Sequence, residues 1–269
     1  KELNAVGGMG SGKSTLGSLF LARDAFDVLV RDDPARDYNL ASHSLVTLYA
    51  IARSIEQSAD TVFAEVINRM QAPFFQEFQP RIREYDITFR KHSDVEISAG
   101  GAVSAGSLMG RNVKCIVMDE ITSWDETQSQ RGAWQVYSRL RKSTNRFGFD
   151  GHVIVISMPW HVNDIIMTLY RKQDEFTLTE RFTTWEMNPT KALESPEMQA
   201  ELTRDPITFW RDYGAEPHSS IEAYYPDLEL VRMSEEKPNL LELAQEGMYP
   251  ASDKTYVLSA DPAISNNYF

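Results

Sequence analysis

Nine residues near the start, "GGMGSGKST" (Gly7–Thr15), constrain this chain more than anything that follows. Gly7, four residues, then Gly12-Lys13-Ser14 is the phosphate-loop pattern, and each residue type has a chemical reason to be there. Glycines let successive backbone N–H groups converge on phosphate oxygens. Lys13 would place an ammonium on the β and γ phosphates, and Ser14 would offer a hydroxyl to Mg²⁺. The candidate nucleotide-binding residues are therefore Gly7, Gly8, Gly10, Ser11, Gly12, Lys13, Ser14 and Thr15. The flanks agree: "ELNAV" (Glu2–Val6) reads as a buried strand, and Ser14–Phe26 as a helix whose N-terminus favours phosphate charge. The opening "KELNAV" reads as a strand already under way, which points to residues upstream.

About a hundred residues later, "VKCIVMDE" (Val113–Glu120) is an apolar run ending in two acids, the pattern of a fully buried parallel strand. Ligands sit at the C-terminal ends of such strands. Asp119 would hold the Mg²⁺ water shell beside Ser14, and Glu120 would orient and deprotonate an attacking water. A kinase keeps water out, so an adjacent acid pair favours hydrolysis of ATP. A third strand, "GHVIVISMPW" (Gly151–Trp160), ends in Ser157, a small polar residue placed to touch the γ-phosphate or the water.

"LVTLYAIA" (Leu45–Ala52) is another buried strand, followed by an amphipathic helix over Gln57–Gln71 with Val62, Val66, Ile67 and Met70 on one face. "DITFR" and "DVEISAG" read as a short antiparallel pair. The expected fold is α/β: a P-loop NTPase with a central, mostly parallel sheet flanked by helices. "FTLTERFTTWEMNP" reads as one more strand, and Ser195–Pro217 as two short helices in which Phe209, Trp210 and Tyr213 are core rather than a base-stacking platform. The stretch from Ser219 to Lys254 is acidic and broken by prolines, as a hinge would be.

Composition removes several classes. The single cysteine, Cys115, permits neither an intrachain disulfide nor a cysteine metal site. The longest apolar run, His152–Met158, is too short to span a bilayer. A net charge of −12 argues against a passive nucleic-acid coat, though not against a motor that touches DNA through a few local cations.

Four stretches, in order and spacing, resemble the large terminase subunit of tailed bacteriophages: "GGMGSGKST", "ISAGGAVSAGSLMGRNVKCIVMDE", "VIVISMPW" and "YVLSADPAI". The resemblance implies an ATPase that drives double-stranded DNA into a prohead, joined to a ribonuclease H-like nuclease that cuts concatemers with Mg²⁺ or Mn²⁺. On this view residues 1–175 are the ATPase core, 176–225 a linker or lid subdomain, and 226–269 a hinge and the first strand of an incomplete nuclease domain. Asp261 matches the first metal-binding acid of that nuclease, and Ser157 falls in the coupling motif. The implied partners are DNA, the portal protein, the small terminase subunit and further copies in a ring, with isolated chains monomeric. The implied setting is the host cytoplasm, with no membrane association.

Related phosphate loops often carry an arginine where this chain has Met9, so the group that stabilises the transition state is open. Arg111 is the first candidate, acting on its own nucleotide or on a neighbour's. The cluster Arg139, Arg141, Lys142 and Arg146 is the second, and reads equally as a solvated helix end. The competing classes are a helicase-like nucleic-acid-dependent ATPase, a small-substrate phosphotransferase and a non-catalytic assembly protein. A helicase needs a second complete motor, for which 269 residues leave no room. A phosphotransferase predicts an arginine-rich lid, and none is present. A non-catalytic switch needs no acid at Glu120.

Overall fold

The first strand is enclosed on both edges by strands made far later. In a computed structural model of the chain, β1 (Glu2–Gly7) pairs in parallel with β7 (His152–Ser157) on one side and with β8 (Thr177–Phe182) on the other. The structure describes residues 1–102, 110–126 and 132–218, with residues 125 and 126 by backbone alone. The hinge, the nuclease strand and Asp261 lie outside the described residues.

The sheet has eight strands in the order β3-β4-β5-β2-β6-β7-β1-β8. Besides those named, they are β2 (Val46–Ala52), β3 (Pro80–Ile82), β4 (Asp86–Phe89), β5 (Val95–Gly101) and β6 (Asn112–Asp119). β4 runs antiparallel to both neighbours, as the short pair in the sequence implied, and the other pairings are parallel. Every residue of β2 is buried, and in β6 all but Asn112 are, because helices cover both faces.

Ten α-helices, short and long, lie in the connections among the described residues. α1 (Lys13–Leu29), α2 (Pro34–Asp37), α3 (Ile55–Ser58), α4 (Ala64–Met70) and α5 (Pro73–Gln76) precede β3. α6 (Ala133–Ser143) and α7 (Ile165–Arg171) flank β7, and α8 (Thr184–Met187), α9 (Pro196–Arg204) and α10 (Pro206–Asp212) follow β8. The side chains of successive strand residues point to opposite faces. Leu48, Ala50, Cys115 and Val117 therefore meet Leu21, Ala25 and Val28 of α1, with Val66 and Met70 of α4. Tyr49, Ile51, Ile116 and Met118 meet Val136 and Leu140 of α6, with Ile165, Ile166 and Leu169 of α7.

β8, the further strand expected from the sequence, pairs with β1 along its whole length. Two details differ from the sequence reading. The helix expected over Gln57–Gln71 is broken by a π-helical segment, Ala59–Phe63, between α3 and α4. Lys114, inside a strand read as apolar, is fully buried, its Nζ donating to the Asp150 carbonyl at 2.6 Å and standing 3.8 and 3.5 Å from Asp24 and Asp27 of α1. A buried ammonium requires such partners.

Candidate active site

Gly12 caps α1 with φ +89°, a conformation that an L side chain rarely adopts, and this turn aims the helix N-terminus back over the loop. At Gly8 the constraint is space. A Cβ there would fall 2.3 Å from the Tyr213 carbonyl oxygen and 2.5 Å from the Thr184 hydroxyl. The loop is held from this C-terminal side. Its Gly8 N–H donates to Phe182 O (3.2 Å) and its Met9 N–H to Asp212 O, while Thr184 Oγ1 donates to Met9 O (2.8 Å) and Asn188 Nδ2 to Gly10 O (3.0 Å). Within the loop, buried Ser11 donates from its hydroxyl to Gly8 O at 2.7 Å.

Lys13 is buried and curls over the loop, donating to Gly7 O at 3.1 Å and Gly8 O at 3.0 Å. Its Nζ is also 3.6 Å from Glu120 Oε1. Ser14 and Thr15 line the same cleft of about 710 Å³ with Met9, Gln57, Glu120 and Trp160. Of the loop residues named from sequence, Gly10, Gly12, Lys13, Ser14 and Thr15 line this cleft, while Gly7, Gly8 and Ser11 form the wall behind it.

The acid pair stands at the C-terminal end of β6. Asp119 is 2 % exposed, and burial, with Glu120 beside it, pushes its carboxyl up to about 6. The Thr61 hydroxyl, carried by the π-helical segment, opposes this shift, and it donates to Gln57 O at 2.8 Å. Asp119 Oδ1 is buried without a hydrogen-bond partner. An orphaned carboxylate oxygen beside a phosphate loop fits a divalent cation, which would supply the missing partner. Among the described residues no three His, Cys, Asp or Glu side chains gather where they could hold a metal ion.

Glu120 takes a left-handed backbone, φ +48°, uncommon for a side chain of its size. Its N–H donates to Ile156 O at 2.9 Å, and its Oε2 accepts from Met158 N–H at 3.3 Å and from Ser157 Oγ at 3.4 Å. Fully buried Ser157 Oγ is also 3.0 Å from Thr122 Oγ1, whose hydroxyl can donate to it, and it accepts from Thr122 N–H at 3.4 Å. Ser157 is thus a brace for the acid, joining β7 to the turn after β6.

Arg111 is not brought to this site. It precedes β6, whose eight residues at roughly 3.3 Å each separate it from Asp119 by about 25 Å. There it donates to Tyr49 Oη at 2.7 Å and faces Glu96 at 3.6 Å. Action on its own nucleotide is excluded by this distance. The second cluster is structural at two of its members: Arg141 pairs with Glu2 at 2.8 Å, and Arg146 donates to Asn112 at 2.6 Å. Sequence reasoning missed Thr61, Thr122, Thr184 and Asn188, lone polar residues in no recognisable pattern.

Residues 1–214 match the family model described as "Uncharacterized protein MJ0330, N-terminal P-loop domain". The chain belongs to this family. Among solved structures, the P-loop domain of this chain is similar to the large terminase ATPase domain of Thermus phage P74-26, with a TM-score of 0.59 and 16% identity over 80% of this chain and 88% of that one. The HK97 bacteriophage large terminase matches with a TM-score of 0.54 and 15% identity over 80% of this chain. A thermophilic bacteriophage's large terminase in complex with ADP matches with a TM-score of 0.53 and 11% identity, again over 80%. The chain covers 46% and 48% of those last two proteins. At these identities the likeness establishes a shared fold. No curated protein matches this P-loop chain.

Proposed function

We propose that this chain is an ATP-hydrolysing motor that drives double-stranded DNA, the packaging ATPase of a phage-type terminase. The observation that supports it most is Glu120, held by Met158 N–H and Ser157 Oγ at the mouth of a phosphate-loop cleft and 3.6 Å from Lys13. A carboxylate so oriented is a general base for a water attacking the γ-phosphate.

Each residue then has a role. Backbone N–H groups from Gly10 to Ser14 cradle the phosphates, and Lys13 leaves the Gly7 and Gly8 carbonyls to meet them. Ser14 and Asp119 would hold Mg²⁺, which would supply positive charge to the phosphates as negative charge develops on them. Glu120 takes the proton of the attacking water. Ser157 keeps the carboxylate of Glu120 aimed and links it to β7.

The finer parts of this reading extend to partners and setting. Double-stranded DNA is the translocated substrate, the portal and the small terminase subunit are partners, and copies form a ring in the host cytoplasm. A metal-dependent endonuclease beginning near Asp261 completes the intact enzyme. Among the described residues no helix is long and apolar enough to cross a membrane.

The test is ATP turnover by the protein with and without duplex DNA, against Glu120→Gln. Turnover that needs Glu120 and changes with duplex DNA supports a DNA motor. Turnover that survives Glu120→Gln, or that ignores DNA in the assembled ring, overturns it.

A further inference from the structure

The nucleotide cleft is poor in positive charge. Its lining residues carry one cation, Lys13, and one carboxylate, Glu120, and these two face each other at 3.6 Å. Asp119 adds a second acid at the same end of the sheet. A nucleoside triphosphate keeps net negative charge even with its divalent cation, so the site as lined is short of cations.

A second cation reaches the loop from far along the chain. The 3-10 turn Pro189–Lys191 follows Asn188, whose Nδ2 donates to Gly10 O at 3.0 Å and whose Oδ1 accepts from Thr190 N–H at 3.2 Å. This fixes the turn against the phosphate loop. Lys191 extends from it over Gly10: a carbon built on Gly10 as a side chain would fall 2.8 Å from Lys191 Nζ and 3.5 Å from Cε. Gly10 and Asn188 both line the cleft. Lys191 is half-buried, and its ammonium makes no hydrogen bond or ion pair with any described residue. Other half-buried cations of the chain do find acids, as Arg31 does with Asp27 and Arg211 with Asp212.

We infer that Lys191 is a phosphate-contacting residue of this site. Its ammonium, on a flexible four-carbon stem, binds the polyphosphate as a point charge and supplies what Lys13, shared with Glu120, does not. The inference rests on the nucleotide-hydrolysing reading, and it gives the stretch after β8 a direct part in the site as well as a scaffolding one.

The test is calorimetric binding of a slowly hydrolysed ATP analogue and of AMP, both with Mg²⁺, to the unmodified protein, Lys191→Met, Lys191→Arg and Lys13→Ala. Lys191→Met is expected to weaken the ATP analogue about tenfold and to flatten its salt dependence, with AMP changed less than about twofold. Lys191→Arg is expected to retain affinity, and the nucleotide-free melting temperature of Lys191→Met to stay unchanged. Equal affinity of Lys191→Met and the unmodified protein for the ATP analogue overturns the inference. So does a uniform loss for both nucleotides with a lowered melting temperature, which would make Lys191 structural. If the unmodified protein binds neither nucleotide and Lys13→Ala changes nothing, the hydrolysing reading itself falls.

Discussion

Lys13 and Glu120 face each other at 3.6 Å, one from the loop after β1 and the other from the end of β6. Lys13 also donates to two loop carbonyls, so a phosphate entering the cleft must take this ammonium from three partners. The proposed base and the proposed phosphate-binding cation thus restrain each other, and a bound nucleotide would separate them.

Replacing the base should separate affinity from chemistry. Glu120→Gln removes the charge holding Lys13 and is expected to keep or modestly improve ATP binding while lowering turnover by roughly 10²–10⁴-fold. Lys13→Ala should abolish binding. Nucleotide titration beside phosphate release checks both, and undiminished turnover in Glu120→Gln would remove the assignment of the base.

The buried Asp119 gives a pH-dependent test without metal. Its folded pKa, about 6, lies above the ordinary 3.8, so the fold prefers the protonated form. Its contribution to stability therefore falls as pH rises from about 4 to 6, and the penalty is complete above that. In chelator, Asp119→Asn is expected to be more stable than the unmodified protein at pH 8, by on the order of 1–3 kcal/mol, and not at pH 4. Melting curves at the two pH values decide, and Mg²⁺ should stabilise only the unmodified protein.

Ser157→Ala should leave nucleotide affinity intact and slow turnover by about tenfold, because it loosens a brace on Glu120 rather than a contact to phosphate. A stability loss of about 1 kcal/mol is expected from the hydrogen bond to Thr122. An equal fall in affinity and turnover would make Ser157 a ground-state contact.

Two glycines of one loop should fail differently. Gly8→Ala forces a carbon into the Tyr213 carbonyl and the Thr184 hydroxyl, and should cost about 2 kcal/mol or more. Gly12→Ala meets open space and carries only the strain of φ +89°, about 1 kcal/mol. Urea unfolding of both variants measures the difference.

Arg111→Ala is expected to leave turnover of isolated monomers unchanged, since the length of β6 lies between Arg111 and the acid pair. A monomer slowed by this substitution would contradict the geometry; an effect confined to assembled copies would place Arg111 at a neighbour's nucleotide.

The parts legible in the sequence were those in which a run of residues repeats one instruction. β2 and β6 are mostly apolar runs and were read nearly to the residue, and the phosphate loop is specified by chemistry at fixed spacing. The distance of Arg111 from the acid pair was not legible, because a motif says which residues are near in sequence, whereas a strand carries its two ends to opposite ends of the sheet. Thr61 escaped notice because its aim depends on one extra residue in a helical turn. Asn188 and Thr184 reach the loop across more than 170 residues of chain, and isolated polar residues carry no signal of so distant a partner.

The enclosure of β1 by β7 and β8 has a consequence for synthesis. β1, made before the other strands of this sheet, is completed on its second edge only after residue 182 exists, and the loop it carries finds its last backbone partner at Asp212. A nascent chain halted near residue 175 would contain every residue of the phosphate-loop motif and still lack a formed loop, with an apolar strand edge open to chaperones. Nucleotide binding should therefore begin abruptly, late in translation, once the chain has passed that point.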